Sequence, residues 1–221
     1  MQVLLDSADE VEVGRWLSQG VIDGLTTNPT VLLRDKVADI PAHLARLAKL
    51  VQPGALHAEV TEVRGAKLVE QGLRLRAIAD NIVVKVPVIT PQGEPCLAEI
   101  GALARADTPV NCTACLSLGQ VVLAAKAGAT YISVLIGRID DEGGDGAQVL
   151  AESRRWIDAW SVPTQLVAAS IRGPADARRA MLGGAHCVTV PPSVLDRLVD
   201  HKYARHTVQQ FLDDSRATTK A

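Results

Sequence analysis

The sequence lacks an excess of charge of either sign. Among 221 residues, 23 Lys and Arg are nearly balanced by 25 Asp and Glu, so the formal net charge is −2. No block rich in Lys and Arg occurs along the chain. Proteins that bind nucleic acid or acidic membrane surfaces usually carry a basic patch. The composition therefore argues against nucleic acid and membrane partners and favours a small-molecule ligand.

Long hydrophobic runs and a disulfide framework are also missing. No apolar segment approaches the roughly 20 residues that a helix needs to cross a bilayer. Met1 leads directly into a strand-like segment, without the basic and apolar regions of a secretory signal. Only four cysteines occur, at positions 96, 112, 115 and 187, whereas disulfide frameworks are typical of small secreted domains. We expect reduced thiols and a cytoplasmic protein.

Cys112 and Cys115 have the C-x-x-C spacing of redox pairs and of half zinc sites. No second pair with matching spacing exists, and neighbouring side chains at a strand end are expected to diverge. We interpret the spacing as a coincidence and predict no metal site. The acidic segment 140–146 is interpreted as a flexible loop that leads into a helix, because it lacks the ligand pattern of a calcium site.

Short β-branched runs alternate with segments of helical spacing, which is the pattern of βα units around a parallel sheet. The runs predict strands at 2–6, 21–26, 55–60, 81–86, 108–113, 129–136, 164–170 and 186–190. Helices are predicted at 38–51, 63–79, 92–105, 117–127, 147–160 and 174–183. About eight strands and no linker predict one α/β domain over residues 1–221, a (β/α)₈ TIM barrel.

An additional C-terminal helix is predicted over 201–218, where Tyr203, Val208, Phe211 and Leu212 recur at near-helical spacing. A terminal amphipathic helix beyond a closed barrel needs an apolar surface to cover. That surface lies on its own subunit or on a neighbouring one.

Polar residues recur at the ends of the predicted strands. In (β/α)₈ barrels the chemistry lies at the C-terminal ends of the strands, where alternate side chains point inward. The residues that converge there are Asp6, Asn28, Glu59, Lys85, Asn111, Thr113, Ser133, Arg138, Ser170 and Arg172. Asp6 and Asn28 alone could be helix caps, and Ser170 and Arg138 could be ordinary loop residues. The coincidence along seven strands favours a shared site.

Lys85 lies in the apolar run NIVVKVPV, and Glu59 also has apolar neighbours. The two residues could form a buried structural ion pair. A desolvated lysine has another use, because burial lowers the pKa of an amine and a free amine can attack a carbonyl to form a Schiff base. A nearby carboxylate would then act as the base that carbon–carbon cleavage requires. His57 shares a strand face with Glu59 and is interpreted as a supporting or core residue.

Eight segments resemble the small transaldolase family, which includes the fructose-6-phosphate aldolases. They are LLDSAD (4–9), GLTTNPT (24–30), AEV (58–60), IVVKVPV (82–88), NCT (111–113), AAKAGATYIS (124–133), GRIDD (137–141) and VAASIRGP (167–174). The resemblance implies a class I mechanism without metal or organic cofactor, sugar phosphate substrates of the pentose phosphate pathway, and a homo-oligomer, often a decamer, in which the last helix reaches a neighbour.

The resemblance also implies a role for each site residue. Lys85 would form the Schiff base, Asp6 would shuttle the proton of the C4 hydroxyl, and Glu59 and Thr113 would activate water. Hydroxyls of the dihydroxyacetone unit would be bound by Asn28, Asn111 and Ser133. A terminal phosphate would be held by Arg138, Ser170 and Arg172, since guanidinium groups grip oxyanions bidentately.

Four positions bear on which activity of the family this chain has. Glu59 stands where transaldolases carry Glu and the aldolases carry Gln, which favours transfer. Val134 and Leu135 replace the usual proline and aromatic residue before the GR motif, and Leu116 replaces another aromatic residue. A transaldolase is therefore expected. An aldolase that releases dihydroxyacetone and a non-catalytic sugar-phosphate-binding barrel are the alternatives.

Overall fold

The structure, a computed structural model, describes residues 1–218. Eight parallel strands form a closed barrel in chain order, and β1 pairs with β8 to close it. The strands are β1 (Gln2–Asp6), β2 (Gly24–Thr26), β3 (Ala55–Glu59), β4 (Ile82–Pro87), β5 (Val110–Cys115), β6 (Tyr131–Leu135), β7 (Gln165–Ala169) and β8 (Cys187–Val190). The predicted (β/α)₈ barrel is thereby confirmed.

Eleven helices occur in the described part of the chain. They are α1 (Glu10–Ser18), α2 (Pro29–Arg34), α3 (Ile40–Val51), α4 (Gly65–Arg76), α5 (Leu97–Arg105), α6 (Leu118–Lys126), α7 (Ile136–Asp141), α8 (Gly146–Ala159), α9 (Pro174–Leu182), α10 (Pro192–Val199) and α11 (Lys202–Thr218). None of them is both long and apolar enough to cross a membrane.

Successive side chains along each strand point alternately toward the surrounding helices and into the barrel. In β4, Val84 and Val86 belong to the large apolar cluster between the strands and the helices, whereas Lys85 is in contact with groups of β3 and the β2–α2 loop. A small cluster of Leu4, Val167 and Cys187 lies apart from the large one. The barrel thus presents polar side chains to its mouth from strands that are otherwise apolar.

Several details differ from the predicted elements. β2 begins at Gly24 rather than at residue 21. The Val3 backbone N–H of β1 donates to the Asp23 side chain, at 2.7 Å from Oδ2, and not to a backbone oxygen of the preceding segment. Helices α1, α2, α7 and α10 were not predicted; all four are short, and α1 and α2 begin at side-chain caps, Asp9 and Asn28. Part of segment 140–146, expected to be a loop, forms the end of α7 and the start of α8.

The side chains of Cys112 and Cys115 do not diverge as expected. The register between β5 and β6 shifts between these two residues, and Ala114 has a positive φ of 60°. The bulge places both thiols on the buried side, with their sulfur atoms 3.8 Å apart. Contact with Cys115 and burial raise the pKa of the Cys112 thiol well above its usual range. Both cysteines are free thiols.

The C-terminal helix is present and begins at Lys202, close to the predicted boundary. None of its described residues is buried, and Tyr203, Val208, Phe211 and Leu212 are between 49% and 68% exposed. The described part of the helix therefore buries none of its side chains against its own barrel.

Candidate active site

Lys85 and Glu59 form the centre of the polar mouth. They are register partners in the neighbouring strands β4 and β3, and Lys85 Nζ lies 3.0 Å from Glu59 Oε2. Lys85 Nζ also donates a hydrogen bond to the backbone oxygen of Thr27 at 2.9 Å. The lysine is only 6% exposed, so the apolar walls and these two acceptors hold its amine in one place.

Asp6 ends β1 and is the second carboxylate of the mouth. Its Oδ1 atom accepts a hydrogen bond from the Thr26 hydroxyl at 2.8 Å. Burial raises the pKa of the Asp6 carboxyl, and the positive charges of Lys85 and Arg34 only partly oppose that effect. A carboxyl whose proton affinity is raised in this way is suited to exchange a proton with a ligand.

Three buried side chains of β3, β5 and β6 are joined by hydrogen bonds. Ser133 Oγ donates to Asn111 Oδ1 at 2.9 Å, and Asn111 Nδ2 donates to His57 Nδ1 at 2.9 Å. Thr113 follows Asn111 on the same side of β5 and is 6% exposed. The predicted residues Asn111 and Ser133 are thus brought together, with His57 as an additional partner.

Asn28 is held at the start of α2. Its Oδ1 atom accepts a hydrogen bond from the Val31 backbone N–H at 2.9 Å, so the side chain is a helix cap. The cap interpretation considered from the sequence is confirmed. It occupies the amide oxygen and leaves the Nδ2 donors of Asn28 available for a ligand.

The cationic part of the mouth lies where β6 and β7 end. Ser170 has a positive φ of 62°, and a Cβ atom added at Gly137 would overlap its backbone oxygen and lie 3.2 Å from Arg172 Nε. This close approach brings the first turn of α7, which carries the exposed Arg138, against the loop after β7. The first turn of α7 and the loop after β7 therefore supply the guanidinium groups of Arg138 and Arg172 and the hydroxyl of Ser170.

Asp141 was not identified from the sequence as part of this region. Both of its carboxylate oxygens accept hydrogen bonds from the Arg172 guanidinium. That contact lowers the pKa of the Asp141 carboxyl, and the charge of Arg138 adds to the effect. Asp141 belongs to the GRIDD segment (137–141), but its contact with a residue 31 positions away could be found only in the folded chain.

Arg34 and Asp35 were also missed. The Arg34 guanidinium donates to both carboxylate oxygens of Asp35 and, at 3.3 Å, to the backbone oxygen of Asp6. Asp35 in turn accepts hydrogen bonds from Ser7 and from the Ala8 backbone N–H. The end of α2 therefore holds the loop that follows Asp6.

The two leucines that stand where the family usually has aromatic residues lie near the strand ends. Leu135 is the last residue of β6 and is partly buried, and Leu116, directly after β5, is 42% exposed. Within residues 1–218, no group of three or more His, Cys, Asp or Glu side chains is placed to hold a metal ion.

Comparison with solved structures supports the architecture. A mandelate oxidase mutant and mandelate oxidase with (S)-2-phenylpropionate superpose with TM-scores of 0.57 and 0.58 at 17% and 18% sequence identity. They match 86% and 87% of this chain, which spans 63% and 64% of theirs. At such low identity the likeness shows the fold alone.

Comparison of sequences is more specific. The family described as Transaldolase/Fructose-6-phosphate aldolase matches residues 3–221. A probable transaldolase of Leptospira biflexa is 36% identical over 98% of this chain and 98% of its own length. One of Caulobacter vibrioides is 38% identical over 99% of this chain and 98% of its own length. Since these matches extend along nearly the whole chain, it belongs to the transaldolase/fructose-6-phosphate aldolase family.

Proposed function

We propose that the protein is a class I transaldolase that transfers a dihydroxyacetone unit from a ketose phosphate to an aldose phosphate through a Schiff base on Lys85. The observation that carries the proposal is the position of the Lys85 amine, buried at the barrel mouth within 3.0 Å of a carboxylate. A structural ion pair would satisfy the same contact, but it would not explain why the charge of Lys85 also acts on the buried Asp6 carboxyl and why Asn111 is the register partner of Lys85 in β5.

The first half of the reaction forms the imine and breaks a carbon–carbon bond. The Lys85 amine attacks the C2 carbonyl of the ketose, and the carbinolamine loses water with Glu59 and Thr113 holding that water. Asp6 then accepts the proton of the C4 hydroxyl, and the C3–C4 bond breaks. Its electron pair moves toward the imine nitrogen, which leaves an enamine on Lys85 and releases an aldehyde.

The second half reverses these steps on a new acceptor. The enamine carbon attacks an aldose phosphate, and Asp6 returns the proton to the new hydroxyl. Hydrolysis of the imine frees Lys85. Asn28, Asn111 and Ser133 would bind the hydroxyls of the dihydroxyacetone unit, while Arg138, Ser170 and Arg172 would hold the terminal phosphate. Neither half calls on a metal or an organic cofactor.

A second candidate is an aldolase that releases dihydroxyacetone. Its support is the replacement of aromatic residues by Leu116 and Leu135, which changes the walls near the strand ends where an acceptor would bind. The presence of Glu59 favours transfer, so the aldolase remains the alternative.

Borohydride trapping tests the proposal. Reduction in the presence of fructose 6-phosphate should attach the dihydroxyacetone unit to Lys85, as read from the mass of the peptide that contains it. Lys85→Met should give neither adduct nor turnover while keeping its fold, since methionine fills a similar volume. An unmodified Lys85 with every ketose phosphate tried would contradict the proposal.

Product analysis separates the candidates. With erythrose 4-phosphate as acceptor, a transaldolase forms a new ketose phosphate, whereas an aldolase releases mainly dihydroxyacetone. Binding of the ketose without either product would indicate a non-catalytic barrel.

We also propose that the protein is a homo-oligomer, as large as a decamer, in which α11 packs on a neighbouring subunit. The exposure of every described residue of α11, including four large apolar side chains, supports an intermolecular contact.

A further inference from the structure

His57 lies deeper in the barrel than the pair of Lys85 and Glu59. It precedes Glu59 by two residues, so both side chains are on the same side of β3, and its register partners are Thr26 and Val83. The imidazole is 1% exposed. A histidine in so enclosed a place needs a partner for its polar nitrogens.

The partner is the amide of Asn111. Asn111 Nδ2 donates to His57 Nδ1 at 2.9 Å, which requires that Nδ1 carry no proton and that the neutral ring carry its proton on Nε2. Burial and the charge of Lys85 lower the pKa of His57 to about 3, so the ring stays neutral at physiological pH. Tyr131 packs edge-on against the imidazole, with ring centroids 4.8 Å apart, and limits its rotation.

The orientation of the Asn111 amide depends on this tautomer. An amide turned by 180° about its last bond has almost the same shape, but it would place an oxygen opposite the lone pair of Nδ1. In the observed orientation, Asn111 Oδ1 also accepts a hydrogen bond from the Ser133 hydroxyl, with 2.9 Å between Ser133 Oγ and Asn111 Oδ1. One N–H of Asn111 is then left for a ligand, and Ser133 is left with lone pairs only.

We propose that His57 is a positioning residue for the ketose donor, acting through Asn111: by accepting one amide N–H it turns the second N–H of Asn111 toward a substrate oxygen. This inference rests on the proposed function for the identity of the ligand. The inference assigns the direction of two hydrogen bonds to the ketose: Asn111 donates to an oxygen of the ketose, and Ser133 accepts from a hydroxyl.

A double-mutant cycle tests whether His57 acts through Asn111. His57→Phe keeps a ring of similar size but offers no acceptor, and it should lower kcat/KM for the ketose about tenfold, mainly through KM, as expected for the loss of one positioned hydrogen bond. In an Asn111→Ala background the same substitution should have almost no further effect. His57→Asn, whose Oδ1 can accept near the position of Nδ1, should recover kcat/KM to within about threefold.

Equal effects of His57→Phe in both backgrounds, or no recovery by His57→Asn, would overturn the inference, because a purely structural residue would lower activity whether or not Asn111 is present.

¹⁵N NMR of the imidazole provides a readout that needs no variant and no substrate. It should show a neutral ring protonated on Nε2 at pH 7; a proton on Nδ1 would overturn the inference. Failure of the proposed function instead appears as the absence of any Lys85 adduct in the unaltered protein, which leaves the NMR result valid.

Discussion

Glu59 Oε2 lies 3.0 Å from Lys85 Nζ, and the two residues are register partners in adjacent parallel strands. The short separation fits two roles, a charge that stabilises a buried ammonium group and a base that serves imine formation. These roles differ in what happens when the charge alone is removed.

Glu59→Gln keeps the shape of the side chain and an oxygen that can accept from Lys85, but it removes the base. We expect the rate of transfer to fall roughly 10²-fold, the lower end of what general acid–base catalysis contributes, while borohydride still traps an adduct on Lys85. The share of released dihydroxyacetone should rise. Steady-state kinetics with product analysis measures both, and Glu62→Gln, at an exposed position beyond β3, serves as the control. An unchanged rate would assign Glu59 a structural role.

Asp6→Asn tests the proton shuttle. Because burial raises the pKa of Asp6, the carboxyl is protonated over a wider acidic range than usual, and the rate of the unaltered protein should fall as pH decreases through that pKa. Asparagine cannot exchange the proton, so we expect a loss of about 10²-fold to 10⁴-fold and the disappearance of this acidic limb from the pH–rate profile. A profile that keeps the limb would assign it to another group.

The same substitution should make the protein more stable at neutral pH. Between the unperturbed pKa of 3.8 and the raised value, the folded state binds more protons at Asp6 than the unfolded state does, so the free energy of unfolding decreases as pH rises through this window. Above the window the unfavourable burial of the ionised carboxylate is fully present. Thermal unfolding should therefore show a higher Tm for Asp6→Asn at pH 7 and a smaller difference below pH 4. A lower Tm at pH 7 would contradict this expectation.

Gly137→Ala tests the cationic part of the mouth. The added methyl group would overlap the Ser170 backbone oxygen, so α7 and the loop after β7 must separate, which displaces Arg138 and Arg172. We expect KM for a ketose phosphate to rise about tenfold or more, with a much smaller change for an unphosphorylated ketose. Gly14→Ala is the matched control, since a Cβ there meets no atom within 4 Å. Equal changes for both substrates would show that the mouth does not recognise phosphate through these groups.

Phe211→Asp tests the role of α11. Phe211 is 65% exposed, so within one subunit the substitution should leave the thermal stability nearly unchanged. If α11 packs on a neighbour, the buried charge should shift the protein to smaller species in light scattering at the same concentration. His206→Asp is the control. It introduces a similar charge on the same helix, about 140° away from Phe211 for a rotation of about 100° per residue. A monomer before any substitution would refute the homo-oligomer.

The order of the strands and most residues of the candidate site could be predicted from the sequence, because both predictions depend on local patterns. Short β-branched runs between segments of helical spacing marked the strands, and a lysine inside an apolar run at Lys85 stood out without any knowledge of its neighbours. In a parallel barrel the strand ends meet at one rim, so residues far apart in the chain could be grouped from topology alone.

Contacts between strands and loops were decided only by the tertiary structure. The hydrogen bond from Asn111 to His57 joins residues 54 positions apart, and that from Arg172 to Asp141 joins residues 31 apart. The bulge that turns Cys112 and Cys115 to the same side depends on pairing with β6, which no local spacing encodes. Sequence by itself therefore determined the barrel and the chemical groups at its mouth, whereas register and packing decided which groups touch, because those distances arise only when separate strands are brought into one wall.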